Sequence, residues 1–184
     1  GQQVGALAKY EADMWRVQGG WYNVVAAGST EYVNQWDNTD NASIAVAGRA
    51  EYKVAGTWEQ FSKESSFKGE EFGLLVGGGV IWQNGRDQND TDYGNPFGLT
   101  ADAQAKFGGF NVIGQLLWAT GAANADNDSN WGFNIQGGAF VTDDLEFFGA
   151  WAYAQTNDTT NFLQAGANWY FAKNSMKMTM MGII

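Results

Sequence analysis

Apolar residues alternate with small or polar ones along most of this chain, and this alternation constrains its fold more than any other feature. In residues 131–141 the odd positions hold Trp, Phe, Ile, Gly, Ala and Val, whereas the even positions include Asn134 and Gln136. A period of two is the side-chain period of a β-strand, so the stretch predicts a strand with one apolar and one polar face. The alternation restarts in residues 145–153, and the Asp143-Asp144 pair between the two runs predicts a tight hairpin.

The same alternation recurs in residues 44–53, 99–107, 110–118, 163–171 and 176–180, and in approximate form in residues 2–11 and 14–27. About ten strands of roughly ten residues and no helix are therefore predicted. Short turns are expected near Asp13, Gly108, Asp143 and Asn174, and long polar connections at 28–41, 84–97, 122–130 and 156–161. The connection 55–69 is an exception, because it is long where the pattern requires a short turn. No connection resembles a domain boundary, so we expect one structural unit over residues 1–184.

Strand length and the ends of the apolar faces distinguish a membrane barrel from a soluble sandwich. Sandwich strands are commonly about five or six residues long, whereas a tilted strand needs about ten residues to cross a bilayer. Transmembrane barrels also carry aromatic girdles at both rims of their apolar band. The expected girdle is Tyr52, Phe72, Phe107, Phe110, Phe147 and Phe171 at the short turns, and Trp82, Trp118, Trp131 and Tyr153 at the long loops.

The opposite parity carries the charged and amide side chains. Charges in the middle of a strand are costly in a dry core but are tolerated in a water-filled lumen. Together with strand length, girdles and loop asymmetry, this predicts an all-β fold, a transmembrane antiparallel β-barrel. Phe140, Phe148 and Tyr170 share the polar parity, which a purely polar lumen does not explain. The expected lumen residues are Arg16, Arg49, Glu51, Lys53, Asp102, Gln104, Lys106, Asn134, Gln136, Glu146, Gln164, Asn168 and Lys177.

Composition argues against several classes of function. The chain has no Cys and no His, which removes the commonest general base and the commonest zinc ligand, so neither an enzyme nor a cofactor is expected. A formal net charge of −10 argues against binding of nucleic acid. The acidic stretches 87–92 and 124–130 are rich in oxygen ligands but lack the spacing of a calcium loop, so no metal site is predicted.

Three stretches of the sequence are similar to a known family. They are VAGRAEYKVAG with SFKGEEFGLLVGGGV, then GFNIQGGAFVTDDLEFFGAWAYAQ, then NFLQAGANWYFAKNSMKMTM. On these stretches residues 42–184 resemble the C-terminal part of the phosphate-selective porin O/P family of Gram-negative outer membranes. The resemblance implies a barrel of about 16–18 strands. It also implies a homotrimer in contact with bilayer lipid and lipopolysaccharide, through which small solutes or ions diffuse passively.

The predicted topology adds an expectation about the ends of the chain. In bacterial barrels the short turns are periplasmic and the long loops extracellular. Counted from the turns at Asp13 and Asn174, both chain ends would lie outside the cell, whereas barrel termini are normally periplasmic. We therefore expect an incomplete C-terminal portion of a larger porin.

The sequence leaves the solute and two other functions open. Phosphate selection requires Lys and Arg that face the lumen. The six candidates are interleaved with acidic residues, so ion pairs that line a general pore are favoured and a phosphate site is the alternative. The other functions are a soluble secreted β-rich domain that binds carbohydrate through a Trp-rich surface, and a small structural or adhesion barrel. The candidate cations are Lys9, Arg16, Arg49, Lys53, Lys106 and Lys177.

Overall fold

The computed structural model describes residues 5–23, 44–63, 65–83, 95–120, 129–155, 158–171 and 176–183. Within these residues the chain is almost entirely β-structure, so the all-β prediction is confirmed. A single helical turn, α1, was not predicted, and no helix in the described ranges is long and apolar enough to cross a membrane. The elements are β1 (Gly5–Glu11), β2 (Trp15–Asn23), β3 (Ile44–Ala55), α1 (Trp58–Phe61), β4 (Gly73–Gln83), β5 (Phe97–Phe107), β6 (Phe110–Thr120), β7 (Asn130–Phe140), β8 (Leu145–Gln155), β9 (Thr159–Tyr170) and β10 (Lys177–Ile183).

The ten strands form one antiparallel sheet in the order of the chain, from β1 to β10. Each strand pairs with its sequence neighbours, which leaves β1 and β10 as the two edges of the sheet in the described residues. The number of strands agrees with the sequence prediction. One predicted connection is corrected, because β9 begins at Thr159 and strand structure therefore occupies much of 156–161. The predicted loop at 28–41, residues 84–94 and 122–128 of the next two predicted loops, and the turn near Asn174 lie outside the described residues. The last residues of those two loops, Phe97 and Asn130, already belong to β5 and β7.

Three of the four short turns that the sequence predicts lie in the described residues and are present, near Asp13, Gly108 and Asp143. Gly108 and Gly109 join β5 to β6 with φ angles of 54° and 99°, a left-handed conformation that glycine adopts without strain. Between β7 and β8 the Thr142 hydroxyl accepts hydrogen bonds from the backbone N–H groups of Asp144 and Leu145, at 3.3 and 3.0 Å. These side-chain bonds satisfy backbone donors that the turn removes from the ladder.

The strand register sorts the residues onto two faces, because directly paired residues of neighbouring strands lie on the same side of a sheet. One row joins Glu11, Arg16, Glu51, Gly77, Asp102, Gln115 and Asn134 across seven strands. The face that contains this row is called the polar face. The opposite face, which contains the row Trp15, Tyr52, Val76 and Ala103, is called the apolar face.

The face of the sheet that is mostly apolar is exposed, whereas in the usual two-layer domain that face is buried. The buried apolar side chains of the described residues are Ala45, Leu75, Phe140 and Tyr170, and all four lie on the polar face. On the apolar face, by contrast, Leu116 is 59% exposed and Trp15 is 52% exposed. Large contiguous apolar surfaces are rare on soluble monomers. The candidate functional site therefore lies on the polar face, and the apolar face requires a separate explanation.

Candidate functional site on the polar face

Charged side chains form a ladder across one half of the polar face. Arg16 on β2 bonds Glu11 on β1 at 3.1 Å and lies 3.4 Å from Glu51 on β3. Arg49, also on β3, lies 3.1 Å from Glu51. The structure thus contains the ion pairs that the interleaved charges predict. With Lys9 at 3.3 Å from Glu11, and Asp102 at the other end, the ladder has three cations and three anions and no net charge.

The ladder crosses β4 at a glycine. Arg49 Nη1 and Nη2 donate to the two carboxylate oxygens of Asp102 on β5, at 2.6 and 2.8 Å. Gly77 of β4 is directly paired with both Glu51 and Asp102. A Cβ at Gly77 would lie 2.6 Å from Arg49 Nη2, so the ion pair occupies the space that a side chain would fill. Glycine in the interior of a strand often marks a place where another group approaches the backbone closely, and here that group is the Arg49–Asp102 ion pair.

The connection between β3 and β4 covers the polar face, and its residues 56–63 and 65–72 are called the covering segment. Thr57 caps α1, because its hydroxyl accepts a hydrogen bond from the backbone N–H of Gln60 at 3.1 Å. The indole of Trp58 donates to the carbonyl of Ala12 at 2.9 Å, and the guanidinium of Arg16 lies 4.1 Å from its ring centroid. These contacts anchor the start of the segment to β2 and to the turn before it.

Lys106 of β5 holds the middle of the covering segment. Its side chain is fully buried, and its ammonium donates to the backbone carbonyls of Gln60, Lys63 and Ser65. An ammonium carries three donors, and three carbonyls match that number. A nearby backbone bond from Gly108 N–H to the Glu70 carbonyl, at 3.0 Å, ties the end of the segment to the β5–β6 turn.

Glu146 of β8 holds the far side of the segment. Only 2% of this residue is exposed, and its carboxylate accepts hydrogen bonds from four side chains, on β6, β9 and the covering segment. A buried carboxylate is stable only when its oxygens are satisfied in this way. The donors are Ser65 at 3.1 Å, Asn111 at 2.9 Å, Asn168 at 2.9 Å and Tyr170 at 2.7 Å.

An aromatic cluster completes the contact between the covering segment and the sheet. The Phe67 ring lies 4.8 Å from Phe140 of β7 and 5.2 Å from Tyr170 of β9, measured between ring centroids. Phe140 and Tyr170 are two of the three inward aromatic residues that the sequence pattern left unexplained, and the covering segment packs against both. Close by, the Lys68 ammonium donates to the Val141 carbonyl at 3.0 Å.

All thirteen lumen residues predicted from the sequence lie on the polar face, but in different surroundings. The ladder holds Arg16, Arg49, Glu51 and Asp102, while Lys53 lies 3.4 Å from Asp13 and 5.3 Å from the Trp58 ring. Lys106 and Glu146 are buried in contact with the covering segment. Half-buried amides on the remaining part of the face belong to Gln104, Asn134, Gln136 and Gln164. Asn168 is buried against Glu146, and Lys177 lies 6.0 Å from the Tyr170 ring.

A recess of about 260 Å³ lies over β7 to β10, beside the covering segment. Gln136 and Gln164 lie on one side of it, and Asn168 and Thr179 on the other. The row between them is Gly138, Phe148, Gly166 and Met181, and the tip of the Phe148 ring occupies the space that a Cβ at Gly166 would fill. Within the described residues no cluster of potential metal ligands is present.

The apolar face carries aromatic rings towards both ends of its strands. At the short turns Phe107 stacks on Phe110 at 5.5 Å, Trp169 on Phe171 at 5.6 Å, and Trp15 lies 4.5 Å from Tyr52. At the opposite ends Phe97 lies 6.1 Å from Trp118, and Trp131 lies 5.0 Å from Tyr153. Of the other residues predicted for the girdle, Phe72, Trp82 and Phe147 are exposed at 54%, 40% and 52%. The rings therefore border an apolar band that the described residues leave uncovered.

Comparison with known proteins gives no relative for this chain. No family model matches it, and neither a curated protein nor a solved structure is significantly similar to it. The resemblance to porins thus stays an expectation from the sequence, and the function has to be argued from the two faces of the sheet.

Proposed function

We propose that this sheet is part of a transmembrane β-barrel and that the protein is an outer-membrane porin for small hydrophilic solutes or ions. The observation that carries the proposal is the exposed apolar face, an amphipathic surface with aromatic rings at both strand ends. In the resemblance to phosphate-selective porins the complete barrel has about 16–18 strands and forms a homotrimer. Bilayer lipid and lipopolysaccharide would then cover the apolar face.

The dimensions of the strands support a bilayer as the partner of the apolar face. Seven of the ten strands have 11 residues, or 12 in the case of β3 and β9. At about 3.3 Å per residue and a tilt of about 40°, 11 residues span roughly 28 Å, close to the apolar band of about 25 Å in such barrels. Soluble partners do not require this match between strand length and the separation of two aromatic rows.

Backbone hydrogen bonding supports closure of the sheet in that setting. In a bilayer, an unpaired strand edge leaves N–H and C=O groups without hydrogen-bond partners. Each such group costs on the order of several kcal/mol. In the described residues β1 and β10 each pair on one side alone. A closed barrel satisfies both edges, whether β1 and β10 pair with each other or with further strands.

The polar face supports a solute pathway with a constriction. The ladder of ion pairs, the half-buried amides and the recess make a hydrophilic wall, and the covering segment extends from β2 to β9 in front of it. Such a segment narrows the lumen on the side of the short turns, where barrels normally carry turns of a few residues. Because the ladder has no net charge, it favours general diffusion over capture of phosphate.

A pair of substitutions on adjacent residues of β6 tests the proposal. Leu116 is 59% exposed on the apolar face, and Gln115 lies on the polar face between Asp102 and Asn134. In a bilayer, Leu116→Arg costs about 2–4 kcal/mol near the midplane, whereas Gln115→Arg faces water and costs little. We expect Leu116→Arg alone to reduce folding into phospholipid vesicles, measured by heat-modifiable gel mobility and tryptophan fluorescence.

Conductance in planar bilayers provides the second readout. The inserted wild-type protein is expected to form open channels, and Gln115→Arg to form channels of altered ion selectivity. If Leu116→Arg folds into vesicles as well as the wild type, lipid does not cover the apolar face. If the protein inserts without conductance, a structural or adhesion barrel replaces the porin proposal.

A further inference from the structure

The recess over β7 to β10 differs from the rest of the polar face in its chemistry. Its walls present amide and hydroxyl groups from Gln136, Gln164, Asn168 and Thr179, and one aromatic ring from Phe148, and its two charged residues, Glu146 and Lys177, are of opposite sign. We propose that it binds a small, neutral, polyhydroxylated solute of about monosaccharide size. This inference rests on the proposed porin function, and it names the class of solute that the lumen would hold.

The charges around the recess argue for a neutral ligand. Glu146 lies at its base, and four donors from Ser65, Asn111, Asn168 and Tyr170 already satisfy this carboxylate. Lys177 also lines the recess, so its two charged residues balance. An anion would be opposed by the negative charge of Glu146, and a cation by the positive charge of Lys177. A neutral solute has neither cost.

The hydrogen-bonding groups argue for hydroxyls on that ligand. A primary amide both donates and accepts, and a sugar hydroxyl does the same, so a wall of amides can pair with several hydroxyls at once. Asn168 bonds Glu146 at 2.9 Å and receives the Thr179 hydroxyl at 2.7 Å, which fixes that wall before a ligand binds. Gln164 also lines the recess, and its amide nitrogen contacts the Met181 sulfur at 3.0 Å.

Size and the aromatic ring limit the ligand further. A volume of about 260 Å³ is below the range of roughly 300–1,000 Å³ found for drug-sized ligands, so a single sugar ring fits better than an oligosaccharide. The Phe148 ring, whose tip fills the space beside Gly166, adds an apolar surface to the polar lining of the recess. Sugar rings have apolar C–H faces between their hydroxyl edges, and this combination of surfaces is complementary to them.

Methionine methyl groups report directly on binding at this place. Met181 lines the recess, whereas its neighbours Met178 and Met180 lie on the apolar face, paired with Trp169 and Ala167. In protein labelled with ¹³C-methyl methionine and held in detergent micelles, D-glucose is expected to shift the Met181 resonance in a saturable manner. The resonances of Met178 and Met180 are expected to stay unchanged, and inorganic phosphate is expected to leave all three in place.

Two glutamine substitutions on the polar face make the test specific. Gln136→Leu removes an amide from the recess and is expected to weaken glucose binding about fivefold or more, the effect of one or two lost neutral hydrogen bonds. Gln18→Leu on β2 removes the same group from a distant part of the face, opposite Arg49, and is expected to leave the affinity unchanged. Neither glutamine contacts Glu146, so the network under the covering segment is preserved in both variants.

The outcomes separate this inference from the porin proposal. If Met181 does not respond to glucose, if Gln136→Leu binds as well as wild type, or if phosphate shifts Met181 more than glucose does, the recess is not a site for this class of solute. Swelling of proteoliposomes in glucose measures permeation independently. If glucose permeates the vesicles but does not shift the Met181 resonance, the inference about the recess alone is overturned. If glucose shifts the Met181 resonance but does not permeate the vesicles, the porin proposal is overturned.

Discussion

Arg49 on β3 binds Asp102 on β5 through two hydrogen bonds of 2.6 and 2.8 Å that pass over Gly77 of the strand between them. Neighbouring strands lie about 4.8 Å apart, so side chains two strands apart meet only where the intervening residue leaves space. Gly77 provides that space. The same relationship recurs at Gly138, where a Cβ would lie 2.9 Å from Asn111 Nδ2 and also touch the Glu146 carboxylate. Glycine spacing therefore decides which polar groups of this face meet.

Substitution of Gly77 tests this role of the glycine. In Gly77→Ala the added methyl displaces the Arg49 guanidinium, and we expect a loss of about 1 kcal/mol in the free energy of unfolding, because the pair is partly solvent-screened. Gly114→Ala on β6 is the control, since a Cβ there meets nothing within 4 Å. Urea unfolding of both variants measures the difference. Equal stability of the two would show that the ion pair does not depend on Gly77.

Adjacent serines in the covering segment are expected to respond in opposite directions. Ser65 bonds Glu146 at 3.1 Å, whereas the fully buried Ser66 hydroxyl has no hydrogen-bond partner among the described residues. Ser65→Ala should therefore destabilise the protein by about 1 kcal/mol, and Ser66→Ala should stabilise it by up to about 1 kcal/mol. Thermal unfolding measures both. A loss of stability in Ser66→Ala would mean that its hydroxyl has a partner.

Lys106 is expected to control whether the covering segment stays against the sheet. Lys106→Met leaves the carbonyls of Gln60, Lys63 and Ser65 without their donor. The expected cost is about 2 kcal/mol, which raises the population of molecules with a detached covering segment roughly thirtyfold. Trypsin cleavage after Lys63 and Lys68, followed by mass spectrometry, measures the opening. Lys9→Met is the control, because Lys9 pairs only with the exposed Glu11 in the described structure. Unchanged cleavage in Lys106→Met would mean that other contacts suffice to hold the segment.

The strands and their faces were predictable from the sequence because alternation is a local property. Each strand shows its own period of two, and the Gly108-Gly109 and Asp143-Asp144 turns join neighbours in the chain. A sheet in chain order then follows without any long-range information. Trp131 and Tyr153, for example, have the same parity in the sequence and lie 5.0 Å apart on the apolar face.

The covering segment could not be predicted, because its contacts join residues far apart in sequence. Ser65 and Tyr170 are separated by 105 positions, and no local pattern indicates their contact. Two signals nevertheless pointed towards it: the excess length of the 55–69 connection, and the wrong parity of Phe140 and Tyr170. Each signal had several explanations in the sequence, and only the packing of Phe67 against both rings connects them.

The neutral ladder predicts how ion selectivity responds to loss of one carboxylate. Glu51 lies between Arg16 and Arg49, at 3.4 and 3.1 Å, and Glu51→Gln leaves the ladder with one excess positive charge. In the proposed porin this charge lines the lumen, so we expect the chloride-to-potassium permeability ratio to rise about two- to threefold. Reversal potentials in planar bilayers under a salt gradient measure the ratio.

Asp144→Asn, in the exposed β7–β8 turn, removes the same charge outside the ladder and is expected to leave the ratio nearly unchanged. The rise should diminish at high ionic strength, since salt screens the uncompensated charge. An equal change in both variants would place Glu51 away from the conducting pathway.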